Sequence, residues 1–154
     1  MQDKTLNVAI GGDHAGFSLK ERIREFLTSA GHQVTDYGPD SDASADYPDQ
    51  VHPLAAGLSA GKHDFGIIMC GSGNGVSMTA NKYPDIRAAL SWKPEIARLG
   101  RAHNNANVLA LPARFISEED ALEAVQLFLH TAFEGGRHQN RVNKIRSGMT
   151  GCGG

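Results

Sequence analysis

Short apolar runs alternate with segments whose apolar positions recur every three to four residues, and this alternation continues along nearly the whole chain. Leu6 to Ile10 reads as a buried strand closed by Gly11-Gly12. Phe17, Ile23, Phe26, Leu27 and Ala30 then fall near one face of a helix that stops at Gly31. His32 to Tyr37 is a second strand, and the polar stretch Gly38-Pro39-Asp40-Ser41-Asp42 leads into a helix over Pro48 to Ala60, ended by Gly61. The most apolar strand, Phe65 to Cys70, runs straight into Gly71-Ser72-Gly73-Asn74-Gly75 and a helix from Val76 to about Lys82. Strands over Ile86 to Leu90 and Val108 to Leu111 alternate with helices over Pro94 to His103 and Glu118 to Thr131, with Pro94 in a first turn and Ser117 as a cap.

Five strands separated by helices predict an α/β fold. It is a Rossmann-like three-layer αβα sandwich around a five-stranded parallel sheet, followed by a C-terminal helical extension. In doubly wound sheets, ligands bind outside the carboxyl ends of the strands, so the residues that follow each strand are the candidates for chemistry. Residues 1–146 read as a single domain, and the Gly-rich segment 147–154 as a flexible tail.

Composition narrows the class. The chain has 154 residues, 40% hydrophobic and 21% charged, with a formal net charge of −2. That is enough apolar material for a core without disulfides or a structural metal. Near-neutral charge argues against a nucleic-acid partner, and no stretch approaches the ~18 apolar residues that span a membrane. Two cysteines, Cys70 and Cys152, are too few for a disulfide scaffold, and no secretion signal opens the chain, so a reducing cytoplasmic setting is expected.

Four places carry candidate chemistry. In Gly71-Ser72-Gly73-Asn74-Gly75, between a strand and a helix, backbone N–H groups can converge on an anion; the same loop is also compatible with a tight turn alone. Cys70 precedes it, where a helix N-terminus favours thiolate, although free cysteine is also a common small core residue. Asp13-His14 ends the first strand and His103-Asn104 follows a helix, which places proton-transfer groups near strand and helix ends. Arg137, His138 and Arg141 follow Gly135-Gly136, and either line a solvated face or clamp a phosphate, with Arg114 able to join them. Asp46 is a capping candidate and Tyr47 a possible pocket wall. No H-x-x-x-H, H-E-x-x-H or paired C-x-x-C spacing is present, so no metal is expected.

Several ordered motifs together resemble the ribose-5-phosphate isomerase B family, which includes galactose and allose phosphate isomerases. They are Gly12-Asp13-His14-Ala15-Gly16-Phe17 with Leu19-Lys20, Asp46-Tyr47-Pro48-Asp49, Cys70-Gly71-Ser72-Gly73-Asn74-Gly75, Ala80-Asn81-Lys82, Arg101-Ala102-His103-Asn104 with Ala106-Asn107-Val108-Leu109, and Glu134-Gly135-Gly136-Arg137-His138 with Arg141-Val142. The resemblance spans Val8 to about Ile145. It implies an aldose–ketose isomerase acting on a sugar phosphate, ribose 5-phosphate or else a hexose 6-phosphate, without metal or organic cofactor. A phosphosugar-binding module is the non-catalytic alternative.

In that family the base is a cysteine before the glycine loop or a glutamate after it. Cys70 and Val76 hold these positions, so the resemblance assigns the base to Cys70. It makes His103 the ring-opening acid, places Asp13 on the sugar and counts Ser72 with the catalytic group. Asn104 and the amides of Gly71, Ser72, Gly73, Asn74 and Gly75 hold the enediolate; Tyr47 lines the site; His14, Arg114, Arg137 and Arg141 bind the phosphate, and His138 is counted with the substrate-binding residues. The resemblance further implies a homodimer or dimer of dimers with active sites shared between subunits. Pro112 stands where the resembled family commonly has glycine, ahead of Ala113-Arg114, so the resemblance leaves the placement of Arg114 open.

Overall fold

The computed structural model describes residues 4–150, with side chains through residue 146. Cys152 and the side chains of the expected tail lie outside the described residues. Five parallel strands form one sheet in the order β2-β1-β3-β5-β4. They are β1 (Asn7–Gly12), β2 (Gln33–Asp36), β3 (Phe65–Cys70), β4 (Ala88–Leu90) and β5 (Val108–Pro112). The helices are α1 (Phe17–Ser29), α2 (Tyr47–Ser59), α3 (Asn74–Ala80), α4 (Pro94–Asn104), α5 (Glu118–His130) and α6 (Arg137–Thr150).

The three layers follow from the two-residue alternation of each central strand. Val8, Ile10, Ile67, Met69, Leu109 and Leu111 face one way, onto Ile23 and Leu27 of α1, Ala97 of α4 and Ala121, Val125 and Phe128 of α5. Ala9, Ile68, Cys70, Val108 and Ala110 face the other, onto Val51, Leu54 and Leu58 of α2 and Val76 and Ala80 of α3. Each large apolar side chain so buried contributes ~1.5–3 kcal/mol through the hydrophobic effect, which is why strands covered on both faces carry almost no polar residue. Lys20 of α1 is a fully buried charge: its Nζ lies 2.6 Å from the Asp36 carboxylate and 3.0 Å from that of Glu21.

Element boundaries moved where glycine or a cap decided them. β1 continues through Gly11 and Gly12, which pair with Ile68 and Met69, because a side chain at Gly12 would collide with the Met69 carbonyl 2.3 Å away. α3 begins at Asn74 rather than Val76, since Gly73 takes the left-handed φ of 77° and turns the chain into the helix two residues early. Ser117 caps α5 as expected, its hydroxyl accepting from the Asp120 N–H at 3.1 Å. Asp46 stands at the start of α2, but its side chain makes no cap hydrogen bond; its backbone carbonyl accepts from the Asp49 N–H instead, so the capping expectation is corrected.

α6 is the helical extension. It lies against α4, fixed at one end by the Glu134 N–H donating to the Ala102 carbonyl and at the other by an Arg146–Asp85 ion pair at 2.5 Å. Gly135 and Gly136, with φ of 67° and 53°, make the turn that admits it. No helix among the described residues is long and apolar enough to cross a membrane.

Candidate active site

The chain passes from β1 outward to β2, then returns across the sheet to β3, so the crevice between the carboxyl ends of β1 and β3 is the switch point where such folds bind ligands. Asp13 follows β1 and Cys70 ends β3. The Gly12–Met69 register and an Asp13 N–H···O=C Met69 bond of 3.3 Å bring the two segments together. Asp13 is buried, and one carboxylate oxygen accepts from the N–H groups of Ala15 and Gly16 at 2.9 and 3.1 Å. The backbone thus fixes one oxygen and orients the other. His14 lies beside it with Nδ1 3.2 Å from the Ala45 nitrogen, and an open cleft runs between Asp13, His14 and the Ala45–Asp49 segment.

Cys70 is a buried free thiol at the foot of the glycine loop. Within the loop, Ser72 Oγ accepts from the Asn74 N–H at 3.2 Å, so the hydroxyl shapes the turn that precedes α3. Tyr47 packs its ring directly on Gly75: a Cβ there would lie 2.3 Å from Tyr47 Cζ, so only glycine admits the ring. Val76 is fully buried in the apolar layer, where a carboxylate would be desolvated without a partner.

Arg114 joins this group. The Ala113 and Arg114 N–H groups donate to the carbonyls of Cys70 and Gly71 at 2.9 and 3.0 Å, and the guanidinium lies along Gly71. Pro112 does not disturb this. Its ring nitrogen points toward β4, which has already ended at Leu90 opposite Ala110, so no ladder bond is lost. Arg114 therefore keeps its place beside the loop with proline ahead of it.

A second group forms at the junction of α4 and α6. His103 and His138 stack with ring centroids 4.3 Å apart and planes 14° from parallel. A Glu134 carboxylate oxygen lies 3.4 Å from His103 Nε2 and 3.7 Å from His138 Nε2. Burial, followed by the neighbouring His103 and Arg137, holds the His138 pKa below its ordinary value. Arg137 and Arg141 project from the first turns of α6, exposed, and Asn104 ends α4, also exposed. Glu134 is the residue sequence reasoning passed over. The motif contained it, but its i,i+4 spacing to His138 crosses two left-handed glycines, and its contact with His103 is made only by the tertiary fold.

The predicted site residues therefore collect into two groups on one chain. Asp13, His14, Tyr47, Cys70, the glycine loop and Arg114 surround the switch point, while His103, Asn104, Arg137, His138 and Arg141 lie at the α4–α6 junction. A family profile described as Ribose/Galactose Isomerase matches residues 8–145. The chain belongs to this family. It is similar to the ribose-5-phosphate isomerase B of Escherichia coli, 42% identical over 138 residues that cover 90% of this chain and 93% of the relative. Among solved structures it resembles a ribose 5-phosphate isomerase from Thermotoga maritima, with 46% identity, a TM-score of 0.91 and coverage of 94% and 99% of the two chains. It also resembles the Mycoplasma genitalium ribose-5-phosphate isomerase B solved with bound ribulose-5-phosphate, with 41% identity, a TM-score of 0.89 and coverage of 96% and 99%. As a member of this isomerase family the protein is an enzyme, and its Rossmann-like sheet is the fold of its relatives.

Proposed function

We propose that this isomerase interconverts D-ribose 5-phosphate and D-ribulose 5-phosphate through an enediolate, in the non-oxidative pentose phosphate pathway of the cytoplasm. The observation that carries the mechanism is the placement of Cys70 under the glycine loop and next to Asp13 at the switch point of the sheet. His103 protonates the ring oxygen as the C1 hydroxyl gives its proton to water, which opens the sugar to the aldehyde. The Cys70 thiolate then takes the proton from C2, and the electron pair moves to give an enediolate with its charge on O1. The loop amides and Asn104 stabilise that charge where it develops. The O2 proton passes to O1, and Cys70 returns its proton to C1, giving the ketose. Asp13 and Ser72 contact the sugar hydroxyls, and Tyr47 closes the side of the pocket. His14, Arg114, Arg137, His138 and Arg141 hold the phosphate, whose binding positions the reacting carbons.

Two copies share each site in this reading. The contacts of His103 are with Glu134 and His138 rather than with the Cys70 group, and Met78, Trp92, Phe115 and Ile145 are exposed apolar side chains suited to a subunit interface. His103 and the α6 arginines of one subunit then serve Cys70 of the other. Replacing Cys70 with alanine is expected to lower kcat by about 10²–10⁴ without comparable loss of phosphate-dependent binding; a variant with full turnover would remove Cys70 as the base. Because the family description includes galactose isomerases, ribose 5-phosphate should be assayed beside allose and galactose 6-phosphates. A higher kcat/KM for a hexose would keep the mechanism and change the substrate.

A further inference from the structure

We infer that His103, Glu134 and His138 form a binding site for a late first-row divalent cation, zinc above all, and that occupancy of this site inhibits the isomerase. The inhibitory half rests on the proposed role of His103; the binding half does not.

One ligand atom from each residue lies within 4.8 Å of the other two, and the set comprises two imidazoles and one carboxylate. Zinc–nitrogen and zinc–oxygen bonds of about 2.0–2.2 Å in a tetrahedral shell require neighbouring donor atoms about 3.3–3.5 Å apart. The Glu134 oxygen already stands 3.4 and 3.7 Å from the two imidazole Nε2 atoms. Only the edge between the two histidines remains to be closed. Because the rings are stacked 14° from parallel, one must turn about its Cβ–Cγ bond so that both lone pairs meet the same ion. The side chain of His103 is 38% exposed and that of Glu134 54%, so solvent can supply a fourth ligand and the ion has a way in. Two imidazoles favour zinc, cobalt, nickel or copper over magnesium or calcium, which take oxygen ligands.

The site lies at the positive end of α6 and beside Arg137 and Arg141, which oppose a cation. Binding therefore depends strongly on the Glu134 carboxylate, and that dependence is the test. A bound ion occupies the lone pair of His103 and holds the ring away from a sugar, so a proton can no longer be delivered to the ring oxygen.

The experiment uses the full chain, stripped with a chelator and dialysed, titrated with zinc by calorimetry and with cobalt by visible absorption. One ion per chain is expected, with a tetrahedral cobalt spectrum lacking sulfur-to-metal charge transfer and with undiminished affinity in Cys70→Ser. Glu134→Ala and His138→Ala should each bind zinc at least about tenfold more weakly. Glu134→Gln, which keeps the side chain's shape, should do the same, and its thermal melt confirms that the fold is retained. Turnover of ribose 5-phosphate should fall with the zinc concentration that fills the site and recover on chelation. No binding, unchanged affinity in all three variants, or a thiolate spectrum would overturn the site. Binding that depends on these residues while turnover is untouched would confirm the site, refute its inhibitory role and refute the assignment of His103 as ring-opening acid.

Discussion

Replacing Gly12 with alanine puts a methyl carbon 2.3 Å from the carbonyl oxygen of Met69 and 3.2 Å from Met69 Cγ. Carbon–oxygen contacts in proteins close only to about 3.3 Å, so the strands must part by about 1 Å at that point. The obstacle is backbone, which cannot swing aside as a side chain can. Overpacking of this kind costs about 1–3 kcal/mol, or a fall in Tm of about 2–12 °C for a chain of this length. The functional cost is larger than the stability cost suggests, because the displaced contact lies between Asp13 and the residue before Cys70. A misplacement of about 1 Å lowers turnover by about a hundredfold. Gly61→Ala is the control: its φ of 80° strains alanine, yet nothing lies within 4 Å of the added methyl, and it follows α2 where the chain enters the start of β3, at the opposite end of the strand from Cys70. It should lose about 1–2 kcal/mol of stability and keep its kcat. Differential scanning calorimetry and an isomerase assay at 25 °C, well below either melting transition, separate the two effects. Equal kcat in both variants, or a Gly12→Ala protein as stable as its parent, would refute the claim that the β1–β3 ladder sets the geometry of the site.

Other outcomes can be stated in advance. If two copies share each site as proposed, inactive Cys70→Ala and His103→Ala chains, unfolded together and refolded as a mixture, should recover about a quarter of parental activity, because each mixed dimer then contains one intact site. A mixture that stays inactive would place both residues in the same chain's site. Asp36→Ala should destabilise by about 3–5 kcal/mol, since it leaves the buried Lys20 ammonium with only Glu21, whereas Lys20→Met should cost less; chemical denaturation ranks the two. Burial also lowers the His63 pKa, and this ring accepts or donates a 2.7 Å bond with the Tyr37 hydroxyl. With folded values of His63 and His138 below the unfolded value near 6.5, the unfolded chain binds more protons as pH falls. Stability should be fully present above about pH 6.5 and decline below it; denaturation curves that do not change between pH 7.5 and 5.5 would contradict this.

The sheet and its order of helices were legible because two-sided burial writes itself into sequence: Phe65 to Cys70 could be little else than a central strand. The placement of Asp13 and Cys70 at strand ends was legible for the same reason, since they are the first reactive side chains beyond apolar runs. Asp46 misled because an acidic residue before a proline-led helix has the composition of a cap, whereas the backbone carbonyl had taken that role. Pro112 left the placement of Arg114 open because sequence does not show that the neighbouring strand stops two residues earlier. Glu134 carried no periodic signal at all; its partners are set by the way α6 folds back on α4.

The ladder between β1 and β3 also divides the enzyme into parts of different tolerance. Asp13 and Cys70 sit one step beyond and at the end of paired backbone, so their separation inherits the fixed spacing of adjacent strands, about 4.8 Å, and not the fit of any side chain. Substitutions in either apolar layer can drain stability while leaving that spacing intact. The histidines and arginines at the α4–α6 junction have no such rail: they hang from helix ends behind two left-handed glycines. On the proposed mechanism, selection or design that alters Gly135, Gly136 or the first turns of α6 therefore changes the reach to the phosphate, and with it the length of sugar accepted, without resetting the carbon atoms at which the proton moves.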